Sequence, residues 1–365
     1  MDQAKVWRLV YAAVLTALIL SGCKAQSGRP RSRFGSTPYP GVYTLYGIAD
    51  PQNLGTHRYD GWHWSLANRH EVHRGVVYTC RAGFIDIAHL RIAIDWARYC
   101  QIQFERSLRS GETELTIKGE EPSPYHITFH YPDFWNEIDA DQKDRFIHEL
   151  SIRMGIRMAA LMTTWHELVT FYGYTEVPPF SQKESSFSYD DMTAHAVGFI
   201  AAEQALRHTS KTFDDAVSEA IRQQMIELAA VTPEQTRVAI EQVRNQWWLP
   251  GWGSQRRRHL DPILDDNKIE PWLVRGMSSC DNAPAKTLTV PTLTDVFGRD
   301  CSGMYRVRIE PKTSAARHLT TFIKPRPLMV DPDLHLSIIM KNIREECVKV
   351  LGPYCDQPYD PPPAN

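Results

Sequence analysis

An apolar stripe with helical spacing runs through the middle of the chain. Its members recur three or four positions apart, as one face of an α-helix requires: they are Ile147, Leu150, Met154, Met158, Leu161, Trp165 and Leu168. The stripe predicts a helix from about residue 141 to residue 172, and Gly173 is a typical stop signal. The middle of the chain is therefore predicted to be helical.

Shorter patterns flank this helix on both sides. Strand-like runs occupy residues 41–47, 75–79, 115–117, 126–129, 287–290 and 304–309. Further helices are predicted from Ser188, over residues 213–230, from Thr232 with Pro233 in the first turn, and over residues 334–350. The order lacks regular βαβ alternation, so the predicted fold class is α+β, with short strands flanking a helical middle section. A single large globular domain is expected over residues 41–355, followed by a disordered, proline-rich tail over 356–365.

The N-terminal segment has the pattern of a secretory signal peptide over residues 1–22. Two basic residues, Lys5 and Arg8, precede an apolar run that ends in Leu-Ser-Gly before Cys23. This ending resembles the lipobox of bacterial lipoproteins, in which the cysteine becomes the first mature residue and its sulfur carries a diacylglycerol. A transmembrane helix is the alternative, but it needs about 20 apolar residues. An ordinary cleaved signal or a short anchor also stays open.

Lipidation of Cys23 would decide where the protein resides. Residues 23–40 are predicted to form a flexible tether, and the lipid makes the membrane a partner. The next residue is Lys24; aspartate there would resemble the inner-membrane retention signal of enteric lipoproteins. We therefore expect a location in the bacterial cell envelope, facing the periplasm, with the outer membrane favoured over the inner one. The net charge of -2 gives no argument for nucleic acid as a partner.

The cysteine count fits an exported protein. Apart from Cys23, the chain has an even set: Cys80, Cys100, Cys280, Cys301, Cys347 and Cys355. An even number in an oxidising compartment predicts disulfide bonds. Proximity along the chain favours pairing each cysteine with the next one, which gives Cys80–Cys100, Cys280–Cys301 and Cys347–Cys355. The sequence contains no CxxC motif, so neither a zinc ribbon nor a thioredoxin-like redox site is supported.

A first group of candidate functional residues lies in the apolar segment 83–97, which reads as a buried helix. Asp86 and His89 are three positions apart, and Arg91 and Asp95 are four apart, so each pair would share a helix face. Buried ionisable groups are costly unless they are paired or bind a metal. The Asp–His pair is thus either catalytic or metal-binding, or it belongs to a structural polar network, which we favour.

A second group lies near the end of the long predicted helix. His166 and Glu167 begin like the zinc-peptidase motif HExxH, but Thr170 replaces the second histidine. The other His-Glu pair begins at His148, 18 residues earlier. That spacing corresponds to about 27 Å along a helix, so the two histidines cannot share one ion. His148 is predicted to lie on the surface.

A third group combines Asp191 with His195, four positions later. This spacing can place an oxygen and a nitrogen on one metal ion. The structural alternative is that Asp191 interacts with the helix dipole and His195 simply pairs with it. Short loops could bring this first turn beside the end of the preceding helix. His166, Asp191 and His195 would then form a site for a divalent metal such as zinc, with Glu167 as general base.

Together, these segments resemble a known bacterial lipoprotein family, domain of unknown function 4056. The resemblance rests on the lipobox, on the segment from Tyr78 to Arg91, on Trp165-His-Glu and on residues 184–191. It implies a cell-envelope protein and supplies no reaction or catalytic residue. A thiol peptidase using Cys80 is a weaker alternative, and the tryptophans at 247–252 suggest either packing or a sugar platform.

Two functions follow from these patterns. The first is a lipid-anchored, metal-dependent hydrolase of envelope material. In this hypothesis Asp86, His89 and Glu167 are catalytic, and His166, Asp191 and His195 hold the metal. The second is a non-catalytic envelope lipoprotein that binds a protein or cell-wall partner and uses the same residues as buried polar networks.

Overall fold

The computed structural model describes residues 29–30, 47–59, 75–175, 182–249, 254–281 and 283–359. The predicted signal peptide, Cys23, most of the tether and the predicted strand at 41–46 lie outside this part of the chain. Within it, no helix is both long enough and apolar enough to cross a bilayer.

Helices dominate the described residues, and short antiparallel strands accompany them. The α-helices are α1 (Ile87–Ser110), α2 (Ala140–Phe171), α3 (Asp191–Leu206), α4 (Phe213–Glu227), α5 (Pro233–Gln242), α6 (Ser314–Leu319) and α7 (Pro332–Leu351). The strands are β1 (Val76–Thr79), β2 (Gly83–Asp86), β3 (Glu114–Lys118), β4 (Pro124–Phe129), β5 (Trp248–Leu249), β6 (Ser254–Gln255), β7 (Lys268–Ile269), β8 (Leu288–Thr289) and β9 (Tyr305–Ile309). This arrangement confirms the predicted α+β class.

The strands form four small antiparallel sheets. β1 and β2 make a hairpin, and β5–β6 and β7–β8 are two-stranded pairs. The largest sheet has the order β3-β4-β9, with Ile127 of β4 opposite Leu115 on one side and Val307 on the other. β9 is thus an edge strand of a sheet whose other two strands lie far earlier in the sequence. This sheet joins segments that are distant in the chain.

Helix α1 is the centre of the helical layer and packs against both α2 and α3. Two glycines allow the backbones to come close. A Cβ atom added at Gly198 of α3 would lie 2.4 Å from the carbonyl oxygen of Leu90, and one at Gly155 of α2 would lie 2.7 Å from the amide of Gln101. Real side chains do not tolerate such distances, so both contacts require glycine. The contact at Gly198 places α3 beside the first turns of α1.

Several predicted elements agree with the structure. α2 occupies the predicted range and ends two residues before Gly173. α5 begins with Thr232 as its cap, Pro233 in the first turn and a complete capping box with Gln235. β3 and β4 contain the strands predicted at 115–117 and 126–129. These elements depend on local patterns, which is why the sequence locates them well.

Two predicted helix starts were wrong. Segment 83–97 is not one helix, because Gly83–Asp86 pairs with β1 and the helix begins only at Ile87. The helix predicted from Ser188 begins instead at Asp191, since the Ser188 hydroxyl donates to the Asp190 carboxylate and caps no helix amide. Both errors concern segments that contribute residues to the candidate site: Asp86 in the first, and Asp190 and Asp191 in the second.

The disulfide pairing also differs from the prediction. Cys80, in the turn between β1 and β2, is bonded to Cys280, 200 positions later. Cys100 and Cys301 are buried free thiols, so the pairs Cys80–Cys100 and Cys280–Cys301 are wrong. Proximity along the chain fails here because Cys100 lies inside α1, where its sulfur faces Met162 of α2.

The other two cysteines are neighbours without being bonded. Cys347 and Cys355 are free, and their thiols interact by a hydrogen bond. The start of the predicted tail packs beside them: the Asp356 carboxylate accepts from the Leu260 amide at 2.8 Å, and the Trp247 indole donates to the Pro358 carbonyl. Residues 360–365 of that tail lie outside the described part.

Candidate metal centre

The β1–β2 hairpin delivers Asp86 to the first turn of α1. Asp86 is the cap of this helix, and its Oδ1 accepts from the amides of Ala88 at 2.6 Å and of His89 at 3.4 Å. The other oxygen, Oδ2, lies 3.2 Å from Nδ1 of the His89 ring. The residue therefore ends a strand, starts a helix and orients a histidine with one carboxylate.

A second carboxylate reaches the same nitrogen from α3. Oδ1 of Asp191, the first residue of α3, lies 2.9 Å from Nδ1 of His89. Asp86 and Asp191 are buried, whereas 21% of the His89 side chain is exposed. One potential ligand atom from each of the three residues lies within 4.8 Å of the other two. His89 is therefore the side of the group that faces solvent.

The two carboxylates set the protonation of this histidine. Burial by itself lowers the pKa of His89, but the charges and hydrogen bonds of Asp191 and Asp86 outweigh it and raise the pKa well above its usual value. Without another cation, His89 is thus an imidazolium between two carboxylates. A metal ion would take the place of that proton.

Two further acids surround the group. Glu167, near the end of α2, is buried, and its Oε2 accepts from the Phe187 amide at 2.6 Å. Burial and then the Asp191 charge raise the pKa of Glu167. Asp190 is fully buried; burial and then the charges of Asp191 and Asp86 raise its pKa well above the usual value. Its Oδ2 has no hydrogen-bond partner among the described residues.

His195 adds a second imidazole one turn further along α3. Its ring centroid lies 5.5 Å from that of His89, and only 4% of the residue is exposed. Burial and then the charges of His89 and His166 lower the pKa of His195 well below its usual value, so the ring is neutral. No described group forms a hydrogen bond with its buried Nδ1. A neutral imidazole is the form that binds metals.

His166 has a different neighbour. Its Nδ1 lies 3.8 Å from Oε2 of Glu121, a buried acid in the turn between β3 and β4. Glu121 also accepts from the Tyr125 hydroxyl at 2.5 Å. In the described part of the chain, His166 is not a member of the converging set, although its charge reaches His195.

The structure thus brings the predicted groups together, but the residues that converge as potential metal ligands differ from the predicted ones. Of the residues expected to hold a metal, Asp191 belongs to the converging set, while His195 and His166 lie around it. Asp86 and His89, which were expected to be catalytic, supply the other two ligand atoms. Sequence reasoning gave no role to Asp190; its only signal was its place beside Asp191.

The separations suit a metal ion. Two ligand atoms at about 2.1 Å from one ion lie about 3.0 Å apart at octahedral angles and about 3.4 Å apart at tetrahedral angles. The observed separations from His89 Nδ1 are 2.9 and 3.2 Å. Two carboxylate oxygens and one imidazole nitrogen form a donor set that suits zinc, manganese or iron. Solvent reaches the group on the His89 side, where water or substrate would bind.

The second predicted pair in this region has a structural role. Asp95 lies 3.1 Å from Nε2 of His57, and both side chains are buried. Arg91 donates to the carbonyls of Leu54, Gly55 and Thr56. These contacts hold segment 47–59 against α1. Sequence reasoning missed His57 because nothing local connects it with Asp95.

Two alternatives from the sequence lose support. Cys80 is part of a disulfide, so the structure offers no thiol nucleophile there. Trp247 and Trp248 are fully buried in a cluster with Tyr78 and Phe84, so they are packing residues and not a sugar platform. Trp252 lies outside the described residues. His148 lies at the surface as predicted, with 40% of its side chain exposed.

A family model with the description "Protein of unknown function (DUF4056)" matches residues 18–257, which is more than half of the chain. The match contains every residue of the candidate metal centre and stops before α6 and α7. No curated protein and no solved structure matches the chain.

Proposed function

Because the chain belongs to the DUF4056 family, whose description names no activity, we propose a function from the geometry of the site. The protein is a metal-dependent hydrolase, anchored by lipid in the cell envelope, that acts on envelope material. Asp86, His89 and Asp191 hold a divalent cation, with zinc as the first candidate. The convergence of two buried carboxylates on one imidazole nitrogen is the observation that carries this proposal.

Charge supports a cation at this position. Four acids are buried in the neighbourhood: Asp86, Glu167, Asp190 and Asp191. Burial raises the pKa values of the last three, because it disfavours their charged forms. Against them stand the proton of His89 and a neutral His195. Buried charges are costly unless opposite charges compensate them. A divalent cation would provide that compensation and would give the unpartnered atoms of Asp190 and His195 a role as ligands or as partners of bound water.

The surrounding residues suit hydrolysis. A divalent cation lowers the pKa of a bound water and so provides a nucleophile near neutral pH. Glu167 is buried beside the group. Its pKa is raised towards neutral pH, which suits a general base. Its hydrogen bond with the Phe187 amide fixes one carboxylate oxygen. Glu167 would accept a proton from such a water, and the substrate class would be an ester or amide bond of envelope material.

Metal analysis tests the proposal directly. Protein purified without chelator or metal-affinity resin should bind about one equivalent of zinc or manganese in equilibrium dialysis. His89→Ala and Asp191→Asn should weaken binding at least about tenfold. The matched controls are His130→Ala and Asp144→Asn, which change exposed residues and should bind like wild type. Circular dichroism confirms that each variant is folded.

The non-catalytic alternative also has a specific observation in its favour. His89 already has two carboxylate partners without any ion. If neither zinc nor manganese binds to the folded wild type, these residues form a structural ion triad. The protein is then an envelope lipoprotein that binds a protein or cell-wall partner.

The lipid anchor has its own test. Cys23→Ser should move the protein from the membrane fraction to the soluble fraction, because the acyl chains supply the membrane affinity. Ser27→Ala, in the same tether, is the matched control and should remain with the membrane. If Cys23→Ser remains in the membrane fraction as well, the anchor is not a lipid on this cysteine.

A further inference from the structure

A concave surface that shares no lining residue with the metal centre is formed by residues 259–272, Arg344 and the start of the C-terminal tail. It has a volume of about 500 Å³. We call it the acidic cleft, because five acids line it: Asp261, Asp265, Asp266, Glu270 and Asp356. None of them takes part in the proposed hydrolysis. The cleft therefore requires an explanation of its own.

The negative charge of the acidic cleft is largely uncompensated. Arg344 is the one arginine among its lining residues, and no lysine lines it. Arg344 pairs with Asp356 at 3.5 Å and donates to the Leu260 carbonyl at 2.8 Å. In the described chain, Asp261 and Asp265 form no ion pair. A single cation thus faces five carboxylates.

The acids repel one another across the cleft. Burial raises the pKa of Asp261 to about 6, and the charges of Asp266, Asp356 and Asp265 add to the increase. Burial likewise raises the pKa of Asp356, against the opposing effect of Arg344. A bound cation would relieve this repulsion.

An unpartnered buried polar atom is further evidence for a ligand. His259 lines the cleft, is only 4% exposed, and its Nδ1 has no hydrogen-bond partner in the described part of the chain. Its ring stacks on that of Trp272 at 4.8 Å between centroids. Pro262, Pro271 and Pro358 also line the cleft. The site thus combines carboxylates and an unsatisfied imidazole with apolar walls.

These features favour an organic cation over a metal ion. Among the described residues, the one set of at least three ligand atoms that converges as a metal requires is Asp86, His89 and Asp191. No three potential ligand atoms of the acidic cleft converge in this way. We propose that the acidic cleft binds a small alkyl polyamine. Its ammonium groups would donate to the separated carboxylates, and its methylene chain would lie against Trp272 and the prolines.

Spermidine is the probe that tests this proposal. Isothermal titration at low salt should show saturable binding to the full chain, and raising the salt to 300 mM should weaken it several-fold. Asp265→Asn/Asp266→Asn should weaken binding at least about tenfold; both residues are exposed, so the fold should be retained. Asp141→Asn/Asp144→Asn removes two exposed acids elsewhere and is the matched control. Binding at pH 6 should also release protons, measured in two buffers of different ionisation enthalpy.

Either of two results would overturn the proposal. One is an Asp265→Asn/Asp266→Asn variant that binds spermidine as tightly as the matched control. The other is magnesium competing at the same concentration as spermidine, which would make the cleft a metal site. The acidic cleft and the metal centre share no residue, so His89→Ala should bind spermidine like wild type. The spermidine test is therefore independent of the proposed hydrolysis.

Discussion

Asp86 shows how much of this protein depends on the placement of single atoms. One carboxylate oxygen caps α1, while the other faces His89 at 3.2 Å. Asp86 and His89 are three positions apart in the sequence, which identifies them as neighbours whether the pair is functional or structural. It does not show that Asp191 supplies the third group. Only the contact between α1 and α3 distinguishes an isolated pair from a candidate metal centre.

His259 predicts a loss of stability in mild acid. Burial lowers the pKa of this histidine to about 4, from an unfolded value of 6.5. Between these values the unfolded chain binds a proton that the folded chain does not, so stability falls as the pH falls from 6.5 towards 4. The loss amounts to about 3 kcal/mol when complete. Above about pH 7 this loss of stability should be absent.

Urea unfolding at pH 7 and at pH 4.5 measures this contribution. His259→Phe keeps a ring against Trp272 but cannot titrate, so its stability should decrease less over this range than that of wild type. His130→Ala, which removes an exposed histidine, should follow the wild type. Equal pH dependence in wild type and His259→Phe would contradict the assignment.

At the scale of elements, the site is a consequence of how closely three helices pack. α1 supplies His89, α2 supplies Glu167 and α3 supplies Asp191. Gly198 lets α3 approach the backbone of α1, and Gly155 does the same for α2. Local patterns predicted α2 and α5 well, but they said nothing about these approaches. The helix contacts, more than the helices themselves, build the site.

Gly198→Ala should therefore weaken both fold and site. The new Cβ would lie 2.4 Å from the Leu90 carbonyl oxygen, and relieving that clash should lower the free energy of unfolding by about 1–3 kcal/mol. Because the shift separates α3 from α1, zinc binding should weaken as well. Gly303→Ala is the control, since its Cβ meets nothing within 4 Å; it should stay within about 0.5 kcal/mol of wild type. Equal stability of the two variants would show that the helices do not pack as described.

At the scale of the whole molecule, one covalent bond joins segments that lie far apart in the sequence. The Cys80–Cys280 disulfide links the β1–β2 turn to the region before β8. The hairpin ends in Asp86, so this bond also supports the element that delivers the first carboxylate of the site. The sequence predicted disulfides from the even count of cysteines, but it could not identify the partners.

Removing this bond should destabilise the protein strongly. Cys80→Ala/Cys280→Ala should lower the free energy of unfolding by about 2–4 kcal/mol, because the unfolded chain loses a cross-link over a long loop. A reductant should lower the stability of wild type by a similar amount and leave the double variant unchanged. Thiol titration of the unfolded, unreduced wild type should find Cys80 blocked; a free thiol there would contradict the pairing.

Features that short stretches of chain encode can be read from the sequence. Periodicity and capping residues within a few positions predict the long helix α2, the cap of α5, strands β3 and β4 and the α+β class. The resemblance to the DUF4056 family also came from the sequence, and the family model supports it. The lipid anchor at Cys23 stays a prediction.

The contacts between residues far apart in the sequence are visible only in the folded protein. It combined Asp86 and His89 with Asp191, bonded Cys80 to Cys280, paired His57 with Asp95 and assembled the acidic cleft from residues 259–272 and the tail. Local patterns reach one or two turns of a helix, whereas these contacts join positions that are from tens to 200 residues apart. Their geometry depends on how closely whole elements pack, and no short stretch of sequence contains that information.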